Sequence, residues 1–161
     1  MKSCESYIRD LVAHPKVAET RHLMHHNVSK QEHLLRSARI SYRLAPVFGA
    51  DRGICARAAL LHDIDSRLGT WSNHGHIAAR VAAQMGEPEP VCRAIVPHMF
   101  PVGPAPTSRE GWVLVIADKL ASLFDVTNFM VGLITGRSQR LRRKLAQSDP
   151  FYSARRWRRW T

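Results

Sequence analysis

His62 and Asp63 stand together at the end of an apolar run, Ala59-Leu60-Leu61, and polar residues follow within a few positions. Imidazole nitrogens and carboxylate oxygens are the donors that a hydrolytic divalent metal site uses. One such pair is a weak signal. Its weight comes from further residues of the same kind on both sides: His33 before it, and His74, His98 and Asp118 after it. Asp118 is the oddest of these. It is flanked by Val115, Ile116, Ala117 and Leu120, and a carboxylate on a buried helix is costly to desolvate unless positive charge meets it. Lys119 is adjacent but falls on a different face of a helix. A cation bound in the core would satisfy Asp118, and the same reasoning applies to Asp63.

The segments that must position these residues read as helices. Ser3 caps a first helix carrying Tyr7, Ile8 and Leu11. His14-Pro15 breaks it, and Pro15 suits the first turn of a second helix running toward Met24. His25-His26-Asn27 is a polar break. Ser29-Lys30-Gln31-Glu32 is a capping box, with His33 in the first turn of the helix it opens. Pro46 and Gly49 end that helix. Asp51 caps the next, which ends at His62-Asp63. Ser72 or Asn73 starts a helix with His74 in its first turn, and Gly86 closes it. Glu87-Pro88-Glu89-Pro90 opens a short helix that ends near Pro97 and His98. Thr107-Ser108-Arg109-Glu110 reads as a second capping box. The helix after it is the most apolar in the chain and is expected to be central, either continuing through Leu133 or bending at Gly132. A basic amphipathic helix follows Gly136, and Ser148-Asp149-Pro150 breaks it. No internal repeat, hairpin signal or alternating strand pattern occurs, so the fold class is all-α.

A chain of 161 residues fits one domain and can bury its own core. With 45% hydrophobic and 23% charged residues it has an ordinary globular composition. No stretch is long and apolar enough to span a bilayer, and the first residues form no apolar leader, so the expectation is a cytoplasmic protein. Three cysteines, without a CxxC pair, argue against a disulfide framework and against a thiolate zinc site. The net charge of +11 is concentrated near the end of the chain. There Arg137, Arg140, Arg142, Arg143, Lys144, Arg155, Arg156, Arg158 and Arg159 face a single acid, Asp149. Such a run is most often a solvated face. Trp157 and Trp160 among the arginines would also suit an anionic partner: nucleic acid, an acidic protein or a membrane surface. The domain expectation is residues 1–136 with a core at about 14–125, followed by a basic helix and tail at 137–161.

The order of residues resembles the HD superfamily of metal-dependent phosphohydrolases. The matching positions are His33 in Gln31-Glu32-His33-Leu34, His62-Asp63 in Ala59-Leu60-Leu61-His62-Asp63, and Asp118 in Ile116-Ala117-Asp118-Lys119. Small single-domain bacterial members look most similar, on His14-Pro15-Lys16-Val17 and Pro97-His98-Met99-Phe100-Pro101. The resemblance implies an HD-domain helical bundle and one or two divalent ions (iron, manganese, zinc, cobalt or magnesium). His33, His62, Asp63 and Asp118 would hold one ion. Asp63, the catalytic carboxylate, would bridge to a second ion held by His74 and His98. His74 precedes Ala78-Ala79 with the spacing of the binuclear variants, which read His-x-x-x-Gly-Ala; His76 is the rival, and register favours His74. The spacing is similar to that of the diadenosine-polyphosphate-cleaving members and of the cyclic-dinucleotide phosphodiesterases. Met99-Phe100-Pro101 departs from the first group, and the Gly-Tyr-Pro signature of the second is missing.

The activity implied is metal-assisted hydrolysis of a phosphate ester, on a nucleotide or related small molecule, with water as the nucleophile. Arg36, Arg67 and Lys119 are the candidate substrate-binding residues, by proximity in sequence. His22, His25, His26 and His76 read as surface or pocket-rim residues, with His25 and His26 near the substrate mouth. Two other functions stay open on the same residues. One is a mixed-valent di-iron oxygenase. The other is a metal-containing module that binds nucleotide or nucleic acid without turnover.

Overall fold

Small side chains decide which helix sits at the centre. The computed structural model describes residues 2–25 and 28–148, His25 by its backbone alone. In it, helix α4 (Arg52–Leu61) carries Cys55, Ala56, Ala58, Ala59, Leu60 and Leu61, all fully buried. Alanines on several faces let neighbouring helices approach closely. α1 (Cys4–Ala13), α3 (Lys30–Leu44), α6 (Glu89–Ile95) and α7 (Arg109–Ile134) all pack against it. The apolar content of α7 predicts a central helix. α7 instead buries one face, through Val113, Leu114, Ala117 and Ala121, and leaves Leu123, Phe124, Met130 and Ile134 exposed.

The remaining elements are α2 (Pro15–Glu19), α5 (His74–Gln84) and α8 (Arg137–Ser148), which complete the eight α-helices among the described residues. The fold is an all-α bundle. Its one departure is a pair of two-residue antiparallel strands, β1 (Met24–His25) and β2 (Val28–Ser29), at the polar break before α3.

The caps form where the sequence places them, with one shift. The Ser3 side chain accepts from the Ser6 amide, Ser29 from Glu32 at 3.2 Å and Asp51 from Ile54 at 2.8 Å. The cap of α7 is Ser108 rather than Thr107; it accepts from the Gly111 amide at 3.1 Å. Glu110 is therefore not a reciprocal capping residue. Its carboxylate reaches across to accept from the Asp51 amide, joining the starts of α4 and α7. α7 runs unbroken through Gly132, so the bend does not occur. No helix among the described residues is long and apolar enough to cross a membrane. His26 and the Arg/Trp tail from Asp149 onward lie outside the described residues, as does the ring of His25.

Candidate metal centre

Four helices and two turns bring the chemistry-bearing residues together. The Ser29 cap fixes the start of α3 and so places His33 on its first turn, fully buried. α4 ends at Leu61 and delivers His62 at its C-cap, with Asp63 in the tight turn that follows. α7 carries Asp118. His98 lies in the turn after α6, and His74 is the first residue of α5.

Gly75 explains why the last two meet. A Cβ at Gly75 would lie 2.4 Å from the Val96 carbonyl oxygen, so only glycine lets the start of α5 sit on the end of α6. This close approach sets His74 against His98.

The four imidazoles form a continuous row. Ring centroids are 5.5 Å apart for His33–His62, 4.9 Å for His62–His98 and 4.7 Å for His98–His74. Every ring turns its Nδ1 outward to an oxygen acceptor. His33 Nδ1 meets Asp125 Oδ2 at 2.7 Å, and His62 Nδ1 meets the Ala59 carbonyl at 2.8 Å. His74 Nδ1 meets the Thr70 carbonyl at 2.8 Å, and His98 Nδ1 meets the Ile95 carbonyl at 2.9 Å. The backbone carbonyls and the Asp125 carboxylate accept, so these contacts place a proton on Nδ1, and in the neutral ring the Nε2 lone pair faces inward.

Those lone pairs face other acceptors. Asp118 Oδ1 lies 3.2 Å from His33 Nε2 and 3.3 Å from His62 Nε2. His74 Nε2 is 2.9 Å from His98 Nε2 and 3.5 Å from Asp63 Oδ1. Lone pairs at this separation repel unless a proton or a metal cation lies among them. Two ligands at about 2.1 Å from one ion, at right angles, are about 3 Å apart, so the spacings match those of neighbouring ligands of a shared metal. His33, His62 and Asp118 make one group able to hold an ion, and His62, Asp63 and His98 make another, with His62 common to both. The outward Nδ1 contacts are the outer-shell partners that orient metal-binding histidines.

Burial pushes the Asp118 carboxyl upward, but His33 and His62 outweigh it and hold the group well below the usual carboxylate range. His98 is drawn down to about 4, by burial first and then by the charge of His62, and so is neutral near pH 7.

Two residues at the site were not singled out from the sequence. Asp125 is fully buried, accepts from His33 and pairs with Arg36, whose guanidinium also lies 5.2 Å from the Phe124 ring centroid. Its signal was present: it stands seven residues after Asp118, two turns along the same helix face. Lys30 is buried, with its ammonium 3.3 Å from Asp63 Oδ2 and 2.6 Å from Ser66 Oγ. It sits inside the capping box, where a lysine normally faces water.

The candidate substrate-binding residues are less close together. Arg36 stands behind His33, against Asp125. Lys119 is exposed beside Asp118, and Arg67 is half-buried on the turn after Asp63, close enough to Lys30 to oppose its charge. His76 is exposed, and the ring brought to the cluster from α5 is His74.

Comparison with known proteins gives a consistent picture. Ribonuclease Y from Cutibacterium acnes is 35% identical over 94 residues, covering 56% of this chain and 17% of that protein. Ribonuclease Y from Treponema pallidum is 34% identical over 92 residues, covering 56% and 18%. The glycine–tRNA ligase beta subunit from Streptococcus thermophilus is 33% identical over 142 residues, covering 81% and 20%. The chain thus spans about a fifth of the length of these relatives. No solved structure matches significantly. The model of the HD domain matches residues 31–123, more than half of the chain and all six of the convergent histidines and aspartates from His33 to Asp118. On that match, the chain belongs to the HD-domain family.

Proposed function

We propose that the protein is a metal-dependent phosphohydrolase that cleaves a phosphate ester of a nucleotide or of a short nucleotide chain. One observation carries the reading: four imidazoles, each tied outward through Nδ1, turn their Nε2 atoms inward in one buried row, those of His33 and His62 to Asp118, that of His74 to Asp63 and that of His98 to His74. His33, His62 and Asp118 would hold one divalent ion. His62, Asp63 and His98 would hold a second, with His74 beside Asp63 and His98 as a further donor. When bound, such ions acidify water and neutralise charge developing on a phosphoryl group.

The chain's own residues supply the remaining functions. Lys30 holds Asp63 by Oδ2 and leaves Oδ1 turned toward His74. Asp125 fixes the His33 ring, and Arg36 neutralises Asp125. Arg67, near Lys30, and Lys119, next to Asp118 in the chain, would meet the phosphate. Ribonuclease Y, by its name, acts on RNA, and glycine–tRNA ligase, by its name, on a tRNA; both favour a substrate built from nucleotides.

The ligand chemistry also suits iron, and thus an oxygenase. The experiment that separates the two is a metal analysis of protein purified without chelators, beside turnover assays with nucleoside monophosphates, cyclic and dinucleoside phosphates and short RNA. Phosphate or nucleotide release supported by redox-inert ions is the expected result. Two bound irons with oxygen-dependent turnover would assign the oxygenase instead. Tight nucleotide binding without turnover under any metal would leave a binding module.

A further inference from the structure

A cleft lies behind His33, on the far side of Arg36 and Asp125. It has a volume of about 540 Å³ and is bounded by the start of α3, the last turns of α7 and the first turn of α8. Arg36, Arg137 and Arg140 line it, together with Glu32, Asn128 and Phe129. The charge of Arg36 is matched by Asp125. Arg137 and Arg140 are exposed, and among the described residues neither forms an ion pair. α8 itself, Arg-Ser-Gln-Arg-Leu-Arg-Arg-Lys-Leu-Ala-Gln-Ser, contains five basic side chains and no acidic one to satisfy them. Three arginines against a single lining carboxylate, Glu32, leave the cleft net positive, and the guanidiniums of Arg137 and Arg140 can each bind an oxyanion in a bidentate fork.

The same cleft connects physically to the candidate metal centre. Arg36 lines it on one side and pairs with Asp125 on the other, and Asp125 in turn orients His33. Along α7, Asn128 lies ten residues beyond Asp118, a rise of about 15 Å. A mononucleotide seated at the histidine row would not reach so far, whereas a chain of several nucleotides would.

We propose that this α3–α7–α8 cleft is a phosphate-binding subsite in which Arg137 and Arg140 grip a phosphate oxyanion. Whether the phosphate is free or part of a nucleotide strand is decided by the test. Binding is measured without turnover, so the subsite itself does not depend on the phosphohydrolase reading; only its role along a substrate strand rests on that reading.

The experiment compares binding of inorganic phosphate and of a mixed-sequence pentaribonucleotide to the full chain, to an R137Q/R140Q variant and to an R143Q/K144Q control. The control residues are exposed on the same helix and do not line the cleft. R137Q/R140Q is expected to weaken binding of at least one probe tenfold and, for the strand, to lower the slope of log affinity against log salt by about one to two. The control is expected to change affinity less than twofold, and both variants to keep the parent's melting temperature and metal content. Loss confined to inorganic phosphate assigns a free-anion site, and loss on the pentanucleotide assigns a strand subsite. Equal weakening by both variants would mean a diffuse basic surface and overturn the proposal, as would unchanged binding by R137Q/R140Q. Failure of hydrolysis with retained, R137/R140-dependent binding would sink the phosphohydrolase reading and leave the subsite standing.

Discussion

The Nε2 atoms of His74 and His98 lie 2.9 Å apart, and both rings have their Nδ1 committed to backbone carbonyls. Two lone pairs therefore face each other in a buried place, and His98 is too weakly basic to accept a proton near neutral pH. A divalent cation removes the repulsion. Manganese, zinc or cobalt at a hundred times its dissociation constant should stabilise the fold by about 3 kcal/mol. For a chain of this size that is a rise in Tm of about 5–10 °C, read by calorimetry with and without chelator. His62→Ala and Asp63→Ala should abolish the rise. Identical melting of metal-loaded and chelated protein would remove the basis for a metal site.

Asp125 touches no inward-facing ligand atom, yet it fixes the tautomer and direction of His33. Asp125→Ala should weaken metal affinity about 10–100-fold, the usual effect of losing an outer-shell partner. Asp125→Asn keeps an acceptor oxygen and should lose less. Competition against a chromophoric chelator measures both. Parent-like affinity in Asp125→Ala would show that the α3 packing alone orients His33.

Caps and breaks written locally in the chain carried most of the fold. Ser3, Ser29 and Asp51 each cap the helix that their position suggests, because capping is decided within three residues. Where the cap shifts from Thr107 to Ser108, Glu110 accepts from the Asp51 amide, 59 residues away, and closes no box. The convergence of His33, His62 and Asp118 was legible as costly polar residues in apolar runs. Asp125 had the same signature but was hidden by its partner His33 on another helix. Lys30 had no local signature, since its burial follows only from where the turn after α4 sends Asp63. The place of α7 was misjudged because apolar content does not say which face is covered.

Lys30 offers its own test. Its ammonium occupies the Oδ2 side of Asp63 in a buried setting. Lys30→Met keeps the bulk and removes the charge, and should cost the chelated protein about 3 kcal/mol. A divalent ion can then take over the neutralisation of Asp63. The metal-induced gain in Tm should accordingly be larger in Lys30→Met than in the parent. Equal gains would mean that the ammonium and the ion do not share this carboxylate.

Arg57 should matter for the fold and not for the metal. Its guanidinium forks to Asp10 at 2.8 and 2.9 Å, donates to Glu87 at 2.8 Å and to the Tyr7 carbonyl at 2.7 Å. It thus joins α4 to α1 and to the segment before α6. The Glu87 side chain is only 3% exposed, so Arg57→Ala strands a buried carboxylate. The expected cost is about 3–5 kcal/mol in urea unfolding, with metal affinity unchanged. A loss below about 1 kcal/mol, the worth of a surface pair, would place this network among solvated contacts.

Acid should act on the chelated protein in two separate windows. His98 is held at about 4, against 6.5 when unperturbed, so between these values the unfolded chain binds the extra proton. Its contribution is complete above pH 6.5 and is lost as pH falls through 4, to a total of about 3 kcal/mol. Asp118 is shifted below its ordinary 3.8, and its contribution is lost only at lower pH still. Urea midpoints measured from pH 7 to pH 4 should therefore fall more steeply for the parent than for His98→Gln, and the two curves should run parallel above pH 6.5. Parallel curves across the whole range would show that His98 titrates alike in the folded and unfolded chain, and hence that it is not buried as a neutral ring.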